Sequence, residues 1–474
     1  MSRPLLFLCL AVAACIENTG PVLITTPTVP VPAVVYPLPS AEQLAWQSLE
    51  LTAFFHYGMN TYTDKEQSDG TDSPNVFNPT ALDITQWMLA LRDAGFRQAM
   101  LTAKHHDGFC LWPTKCTTYS VASSAWLNGQ GDVVRQFVDA AHQAGIGVAM
   151  ALSPLDQHDP LYGTAAYTDV LRCQLTELLT NYGAVDEIWM WDDPNAMGSR
   201  PMIDFSQMQA LVRQRQPNTL LDVGNIATAA GGDVRSTAQA LPNPPPVADQ
   251  TSVQSDPLMA GGPPIWYPAE AVYRWRPGWF WHAAEDGHLV SLEQAVGFYY
   301  DSVGRNSTLR LALAPNKAGV LAAGDVALLN QFGAAIRAIY QSNLAAARPA
   351  MADSVFMNVP AYAASMAVDG KSNTFWAAAA GATSARLEVD LGDARNFNVV
   401  SIQEPIALGE RITAHHIEAR VNGAWTTIAN STAIGQRKLH RVGAITATGL
   451  ALVISAARGA PAISELSAYQ SPYP

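Results

Sequence analysis

Apolar runs that alternate with amphipathic segments constrain the fold of this chain more than any other feature of its sequence. Each run ends in polar residues, at His56, His105, Ser153 and Asp192. The segments between the runs have helical periodicity and close on glycine, the usual residue after a helix, at Gly95, Gly145 and Gly183. The alternation predicts an α/β fold, a (β/α)8-like TIM barrel, in which functional residues follow the strands.

The pattern changes after about residue 345. Long helical segments give way to short alternating runs such as ARLEVDLG and HHIEARVNGAW, which Gly, Asn and Asp separate. Such runs are typical of antiparallel strands that bury one face. Since 474 residues are too many for one core, we predict a catalytic barrel over residues 45–348 and an all-β sandwich over residues 349–474.

The amino terminus has the features of an export signal. Arg3 precedes an apolar run that is shorter than the roughly 20 residues of a membrane-spanning helix and ends Val-Ala-Ala-Cys at Cys15. Residues 1–15 are therefore predicted to direct export, with Cys15 lipidated as in a bacterial lipoprotein or the signal cleaved elsewhere. Residues 16–44, rich in Pro and Thr, are predicted to be an extended linker. We expect a periplasmic, cell-surface or secreted protein that touches a membrane only through a lipid on Cys15.

Charge and cysteine content limit the partners. The formal net charge of −12 argues against nucleic acid and favours a neutral substrate, and the 12 tryptophans offer stacking surfaces for sugars. Outside the signal the cysteines are Cys110, Cys116 and Cys173, without the spacing of a metal site. We predict no metal and no cofactor. A Cys110–Cys116 bridge and buried free thiols are the two alternatives for these cysteines.

Polar clusters at the predicted strand ends are the candidates for chemistry. Lys104, His105, His106 and Asp107 stand together after the second run, where four polar side chains at a barrel mouth favour function over structure. Glu270 is followed and preceded by aromatic residues, and a carboxyl group in apolar surroundings has the raised pKa that a general acid needs. A surface glutamate beside a core aromatic cluster is the structural alternative.

Four stretches together resemble the α-L-fucosidases of glycoside hydrolase family 29, over roughly residues 45 to 345. These are HYGMNTYTDKEQ, KHHDGFCLWPTKCTTYSV, WYPAE with RPGWFWH, and YYDSVGRNSTLRLALAP. The tail, with AVDGKSNTFW and VNGAWTTIA, resembles the discoidin-like (F5/8 type C, galactose-binding-like) sandwich that often follows such barrels.

The resemblance implies an α-L-fucosidase that hydrolyses fucosylated oligosaccharides or glycoconjugates with retention. Asp192 would be the nucleophile and Glu270 the acid/base, about 5–5.5 Å apart. The residues implied to bind the sugar are His56, Glu66, His105, His106, Trp189 and Trp281.

One departure from the family pattern concerns the nucleophile. The family's E-x-W-F-D-G, laid without a gap from Glu187, places Trp191 where the aspartate belongs, and strand alternation puts Trp189, Trp191 and Asp193 on one face. A one-residue bulge at Met190 or Trp191 would turn Asp192 inward, with Asp193 as the spare candidate. The alternative is a catalytically degenerate fucoside-binding protein on the same barrel.

Overall fold

Eight parallel strands form the principal sheet. The structure, a computed structural model, describes residues 30–190, 203–223, 232–238, 248–255 and 262–473. The strands are β1 (Leu51–Phe55), β2 (Gln98–Lys104), β3 (Gly147–Leu152), β4 (Glu187–Trp189), β5 (Leu220–Asp222), β6 (Arg235–Ala238), β9 (Ala269–Arg274) and β10 (Ser307–Leu313). They pair in the order β5–β4–β3–β2–β1–β10–β9–β6, and a parallel bridge from Asp222 to Val234 joins the two edges. The sheet is a nearly closed barrel, as the alternation predicted. A short antiparallel ribbon, β7 (Val253–Gln254) with β8 (Ile265–Trp266), lies between β6 and β9 in the chain.

Most of the helices alternate with these strands. They are α1 (Ala41–Gln47), α2 (Met59–Thr63), α3 (Ile84–Ala94), α4 (Val133–Ala144), α5 (Tyr167–Asn181), α6 (Phe205–Arg215), α7 (Leu292–Asp301) and α8 (Ala323–Ile339). The apolar face of α3, with Trp87 and Leu91, is fully buried. Helices α3 and α4 end at Gly95 and Gly145, both left-handed, as the sequence predicted. Within the described ranges, no helix is long and apolar enough to span a bilayer.

The barrel strands bury side chains on both faces. Inward-facing side chains form a small cluster of their own, made up of Phe54, Met100, Ala149, Ala151 and Trp189. Ile188 and Met190, on either side of Trp189, belong instead to the large core shared with the helices. Alternation along β4 is therefore regular through Met190. The bulge predicted at Met190 or Trp191 would involve Trp191, which lies outside the described residues.

The carboxy-terminal region is antiparallel, as predicted. Its strands are β11 (Ala350–Ala352), β12 (Trp376–Ala377), β13 (Ala385–Gln403), β14 (Ile412–Val421), β15 (Ala424–Ser431), β16 (Lys438–Ala457), β17 (Ala462–Ile463) and β18 (Glu465–Tyr469). Six of them form one sheet in the order β11–β13–β16–β14–β15, with β18 added to β13, and β12 pairs with β17. This all-β region has its own apolar core, which includes Trp376, Leu387 and Leu452.

Polar contacts join this sandwich to the barrel. The Arg437 guanidinium lies 2.6 Å from the Glu50 carboxylate. The backbone N–H of Ser252 donates to Glu410 at 2.8 Å. Because these groups are largely buried, their pairing fixes how the sandwich docks on the barrel.

The end of the predicted linker packs on the sandwich. The backbone N–H of Val35 donates to the Leu408 carbonyl at 2.9 Å, and the Arg411 guanidinium donates to the Ala33 carbonyl at 2.7 Å. Residues 33–40, which we call the strap, are thus bonded to the sandwich through Ala33 and Val35. Helix α1 follows the strap directly.

One disulfide links two crossover segments of the barrel. Cys116, in the connection after β2, is bonded to Cys173 in α5, and Cys110 is a buried free thiol. The Cys110–Cys116 bridge is therefore not formed. The bridge instead pairs residues that barrel packing brings together from neighbouring βα units.

Candidate active site

Three predicted histidines meet at the end of the barrel where the strands terminate. His56 follows β1, and His105 and His106 follow β2. The ring centroids of His56 and His105 are 6.1 Å apart, and those of His105 and His106 are 4.2 Å apart. A turn closed by the Gly108 N–H on the His105 carbonyl (3.1 Å) ends the strand. This turn breaks the strand alternation that would otherwise have sent the two neighbouring imidazoles to opposite faces.

Burial favours the uncharged form of His56 and His105. It lowers the pKa of His56 to about 3, and the nearby His106 and Arg274 lower it further. The pKa of His105 is also well below its ordinary value, through burial first and then His106 and His56. A neutral imidazole donates at one nitrogen and accepts at the other, which suits a sugar hydroxyl. The buried Nδ1 of His56 has no hydrogen-bond partner among the described residues, so a ligand hydroxyl could bond to it.

An aromatic segment that follows β9 packs against the histidines. The Trp279 ring lies 5.0 Å from the His56 ring, and the Phe280 ring lies 4.9 Å from the His105 ring, between centroids. The Arg274 guanidinium lies 5.2 Å from the centre of the Trp279 ring. The histidines are therefore walled by apolar ring surface on one side.

Glu66 holds this aromatic segment in place. One carboxylate oxygen, Oε2, accepts from the Trp279 backbone N–H at 2.9 Å, and Oε1 accepts from the Phe280 N–H at 3.1 Å. The Asn60 amide donates to the Glu66 carbonyl at 2.9 Å and lies 3.4 Å from Nδ1 of His105. The structure thus brings Glu66 to the histidine cluster, partly through the segment that it binds.

The two tryptophans predicted to bind sugar lie at different depths. Trp189, on β4, points into the barrel and contacts Phe54 edge-on at 4.9 Å, and Phe54 in turn lies 4.0 Å from the His56 ring. Trp281 donates its indole N–H to Asp286 at 2.8 Å. Trp189 is therefore joined to the histidines through Phe54. The predicted nucleophile Asp192, its neighbour Asp193 and Trp191 lie outside the described residues.

Glu270 lies in charged surroundings, not in the apolar pocket that its sequence neighbours suggested. It is the second residue of β9 and fully buried, with Oε2 2.8 Å from the Arg310 guanidinium. Oε1 accepts from the Ser236 hydroxyl at 2.8 Å, and Ser236 also bonds to Asp222. Strand alternation explains the difference, because it turns Glu270 toward the barrel interior, away from the aromatic residues beside it in sequence.

The Arg310 guanidinium pairs with two buried carboxyl groups, those of Glu187 and Glu270. Arg310 donates to both oxygens of Glu187, at 2.7 and 2.9 Å, as well as contacting Glu270. Burial raises the pKa of Glu270 well above its ordinary value; Arg310 opposes the shift, and Glu187 and Asp222 add to it. The raised pKa favours the protonated form of Glu270, which is the form that a general acid requires. Sequence reasoning missed Arg310, although a single arginine inside the apolar run STLRLAL was its signal.

Lys104, at the end of β2, and Asp107, which follows it, are buried and bond to protein groups behind the mouth. The Lys104 ammonium lies 3.2 Å from Asp156 and 2.7 Å from the Tyr167 hydroxyl, all buried. Asp107 accepts from the Phe109 N–H at 2.6 Å, and burial raises the pKa of Asp107 to about 7. Of the four clustered residues, only the two histidines thus face the site.

Known proteins similar to this chain match both of its regions. The α-L-fucosidase family model matches residues 29–338, and the F5/8 type C domain model matches residues 352–466. α-L-Fucosidase 1 of Arabidopsis thaliana is 37% identical over 464 residues, which are 94% of this chain and 90% of the plant protein. A family 29 fucosidase of Ruminococcus gnavus, solved in complex with fucose, has a TM-score of 0.85 at 28% identity and covers 94% of this chain and 97% of its own. Both resemblances drawn from the sequence motifs are confirmed.

Proposed function

Because the chain belongs to the α-L-fucosidase family, we propose that it is an exported enzyme that releases terminal α-L-fucosyl residues from glycans with retention. The observation that carries the proposal is the cluster of three buried histidines at the barrel mouth, walled by Trp279 and Phe280. Neutral imidazoles bond to hydroxyls without needing a charged substrate. The fucose-bound relative supports fucose as the sugar that this mouth receives.

The proposed reaction has two displacements. The Asp192 carboxylate attacks C1 of the fucosyl unit, and the Glu270 carboxyl gives its proton to the glycosidic oxygen as the C1–O bond breaks. Glu270, now ionised, takes a proton from water as the water oxygen attacks C1 and the C1–Asp192 bond breaks. The raised pKa of Glu270 supports its role as the acid in the first step. Arg310, 2.8 Å away, would stabilise the carboxylate that remains.

Export is supported by the disulfide between Cys116 and Cys173. Disulfides form and persist in oxidising compartments such as the periplasm and the cell exterior. Together with the signal-like residues 1–15, the bridge favours a protein that leaves the cytoplasm, with Cys15 as the site of a lipid anchor. Mass spectrometry of the mature protein should find a diacylated or triacylated Cys15 at its amino terminus. An unmodified terminus at another residue would contradict the anchor.

The chemistry is tested with an aryl α-L-fucoside and a 2-fluoro-fucosyl inactivator. Wild-type enzyme should release fucose that is first detected by NMR as the α-anomer, and Glu270→Ala should lose turnover that added azide partly restores. Asp192→Ala should abolish covalent labelling, whereas the matched neighbour Asp193→Ala should keep it. Release of the β-anomer first would overturn the retaining mechanism. Labelling that depends on Asp193 instead would mean that β4 alternates regularly beyond Met190.

A further inference from the structure

His282 occupies a position between two carboxylates at the rim of the site. Its Nδ1 lies 2.7 Å from Oδ1 of Asp64, and its Nε2 lies 2.8 Å from Oε1 of Glu66. Carboxylate oxygens only accept hydrogen bonds, so both ring nitrogens must carry protons for both bonds to exist at once. The geometry is therefore that of an imidazolium, in contrast to the neutral histidines at the mouth.

The backbone around His282 is built for this contact. A side chain at Gly278 would place its Cβ 2.6 Å from the Glu66 carboxylate and 3.0 Å from the His282 ring. Only glycine leaves room there for Glu66 and His282 to meet. Asp64 ends α2 in a left-handed conformation, which turns the chain toward the same point.

These bonds join the segment that follows β1 to the segment that follows β9, beside the histidine cluster. The carboxylate of Glu66 that meets His282 also receives the N–H groups of Trp279 and Phe280. The rings of Trp279 and Phe280 in turn contact His56 and His105. His282 is thus connected, through Glu66, to the rings that wall the histidine cluster.

We propose that His282 is a positioning residue, whose imidazolium joins Asp64 to Glu66 and thereby seats Trp279 and Phe280 against the histidine cluster. This inference rests on the proposed function, because it assigns His282 to fucoside binding at that cluster. It predicts that the wall loosens when His282 loses its second proton. The affinity for substrate, rather than the chemical step, then falls.

The surroundings of His282 set the pH range of this effect. Partial burial disfavours the charged ring, but the hydrogen bonds to Glu66 and Asp64, with the nearby charge of Glu285, raise the pKa of His282 above its ordinary value. The positioning bonds are complete below that pKa and one is lost above it. In the wild-type enzyme KM should therefore rise with pH once His282 deprotonates, at a pH above that of an ordinary histidine.

The test compares three variants over a range of pH. His282→Phe should raise KM for an aryl α-L-fucoside by about ten- to a hundredfold below the pKa, the size expected for a lost charge-assisted hydrogen bond, with a smaller change in kcat. His282→Arg, which stays charged and offers several donors, should keep KM low and flatten its rise with pH. His288→Phe is the matched control, since His288 is exposed and its ring bonds only to the Ala284 carbonyl in the described structure. A wild-type KM and pH profile in His282→Phe would overturn the proposal.

A second readout separates this inference from the proposed function. Hydrogen–deuterium exchange at the amides of Trp279 and Phe280 should be faster in His282→Phe than in His288→Phe. If the wild type hydrolyses no fucoside but this difference is found, the proposed function fails and the positioning role stands. If exchange is the same in both variants, the positioning role fails whatever the activity.

Discussion

The barrel buries polar groups in two opposite ways within a short distance. At the mouth, His56 and His105 are buried as neutral rings, and their pKa values are lowered by that burial. Around Arg310, by contrast, charge is retained because the guanidinium is paired with Glu187 and Glu270. Trp189 connects the two regions: it contacts Phe54 below His56 and lies 5.8 Å from the Arg310 guanidinium.

The two kinds of burial have different consequences for stability. A neutral buried imidazole with an unused nitrogen costs stability until a ligand bonds to it. A paired buried charge does the reverse, since removing its partner leaves an uncompensated charge. Mutations at the mouth should therefore lower activity without lowering stability, whereas mutations around Arg310 should lower both.

The largest effect is expected from Arg310→Met. Removing the guanidinium leaves Glu187 and Glu270 without their cation, and breaking a buried pair costs about 3–5 kcal/mol of the free energy of unfolding. Urea denaturation should show this as a lower midpoint. Arg92→Met is the matched control, because Arg92 forms an exposed pair with Asp93 and such pairs contribute about 0–1 kcal/mol. Equal midpoints for the two variants would mean that the Arg310 network does not stabilise the fold.

His56→Phe should lower activity without lowering stability, in contrast to Arg310→Met. The phenyl ring fills the space of the imidazole but cannot bond to a sugar hydroxyl, so kcat/KM should fall by about tenfold or more. Stability should stay the same or rise, because the variant removes a buried nitrogen that lacks a partner in the described structure. Thermal denaturation beside the kinetic assay checks both. A loss of stability as large as that of Arg310→Met would erase the distinction between the two regions.

The third prediction concerns the pH dependence of stability at Asp107. Its pKa is about 7 in the folded chain, against an ordinary value near 3.9. Since the folded state keeps this proton while the unfolded state releases it, stability should fall as pH rises from about 4 to 7, by at most about 1.4 kcal/mol per pH unit. Asp107→Asn does not titrate, so its unfolding free energy should lose this slope. The same slope in both proteins would assign it to other groups.

The sequence predicted the barrel and the placing of the histidines at one end of it, because the signals for both are local. The hydrophobic periodicity of strands and helices can be read from consecutive residues. His56, His105 and His106 follow strands that end at the same edge of the sheet. The surroundings of Glu270 are not local. Its ion pair comes from Arg310, one strand further along the chain, and only the direction of both side chains into the barrel brings them together.

Other features were not predicted because they depend on contacts between residues far apart in the sequence. The partner of Cys116 is Cys173, which spacing alone could not select from the three cysteines. The pairing of Glu66 with the segment after β9 joins residues more than 200 positions apart, and no local pattern predicts it. The direction of Asp192 remains a prediction.

The strap determines where a pulling force would enter the protein. Its bonds, from Arg411 to Ala33 and from Val35 to Leu408, attach the amino-terminal segment to the sandwich before the chain reaches the barrel. Tension from an anchor at Cys15 would therefore be borne first by the sandwich. The mouth, which depends on positions held to within fractions of an ångström, would stay free of load while these two bonds hold.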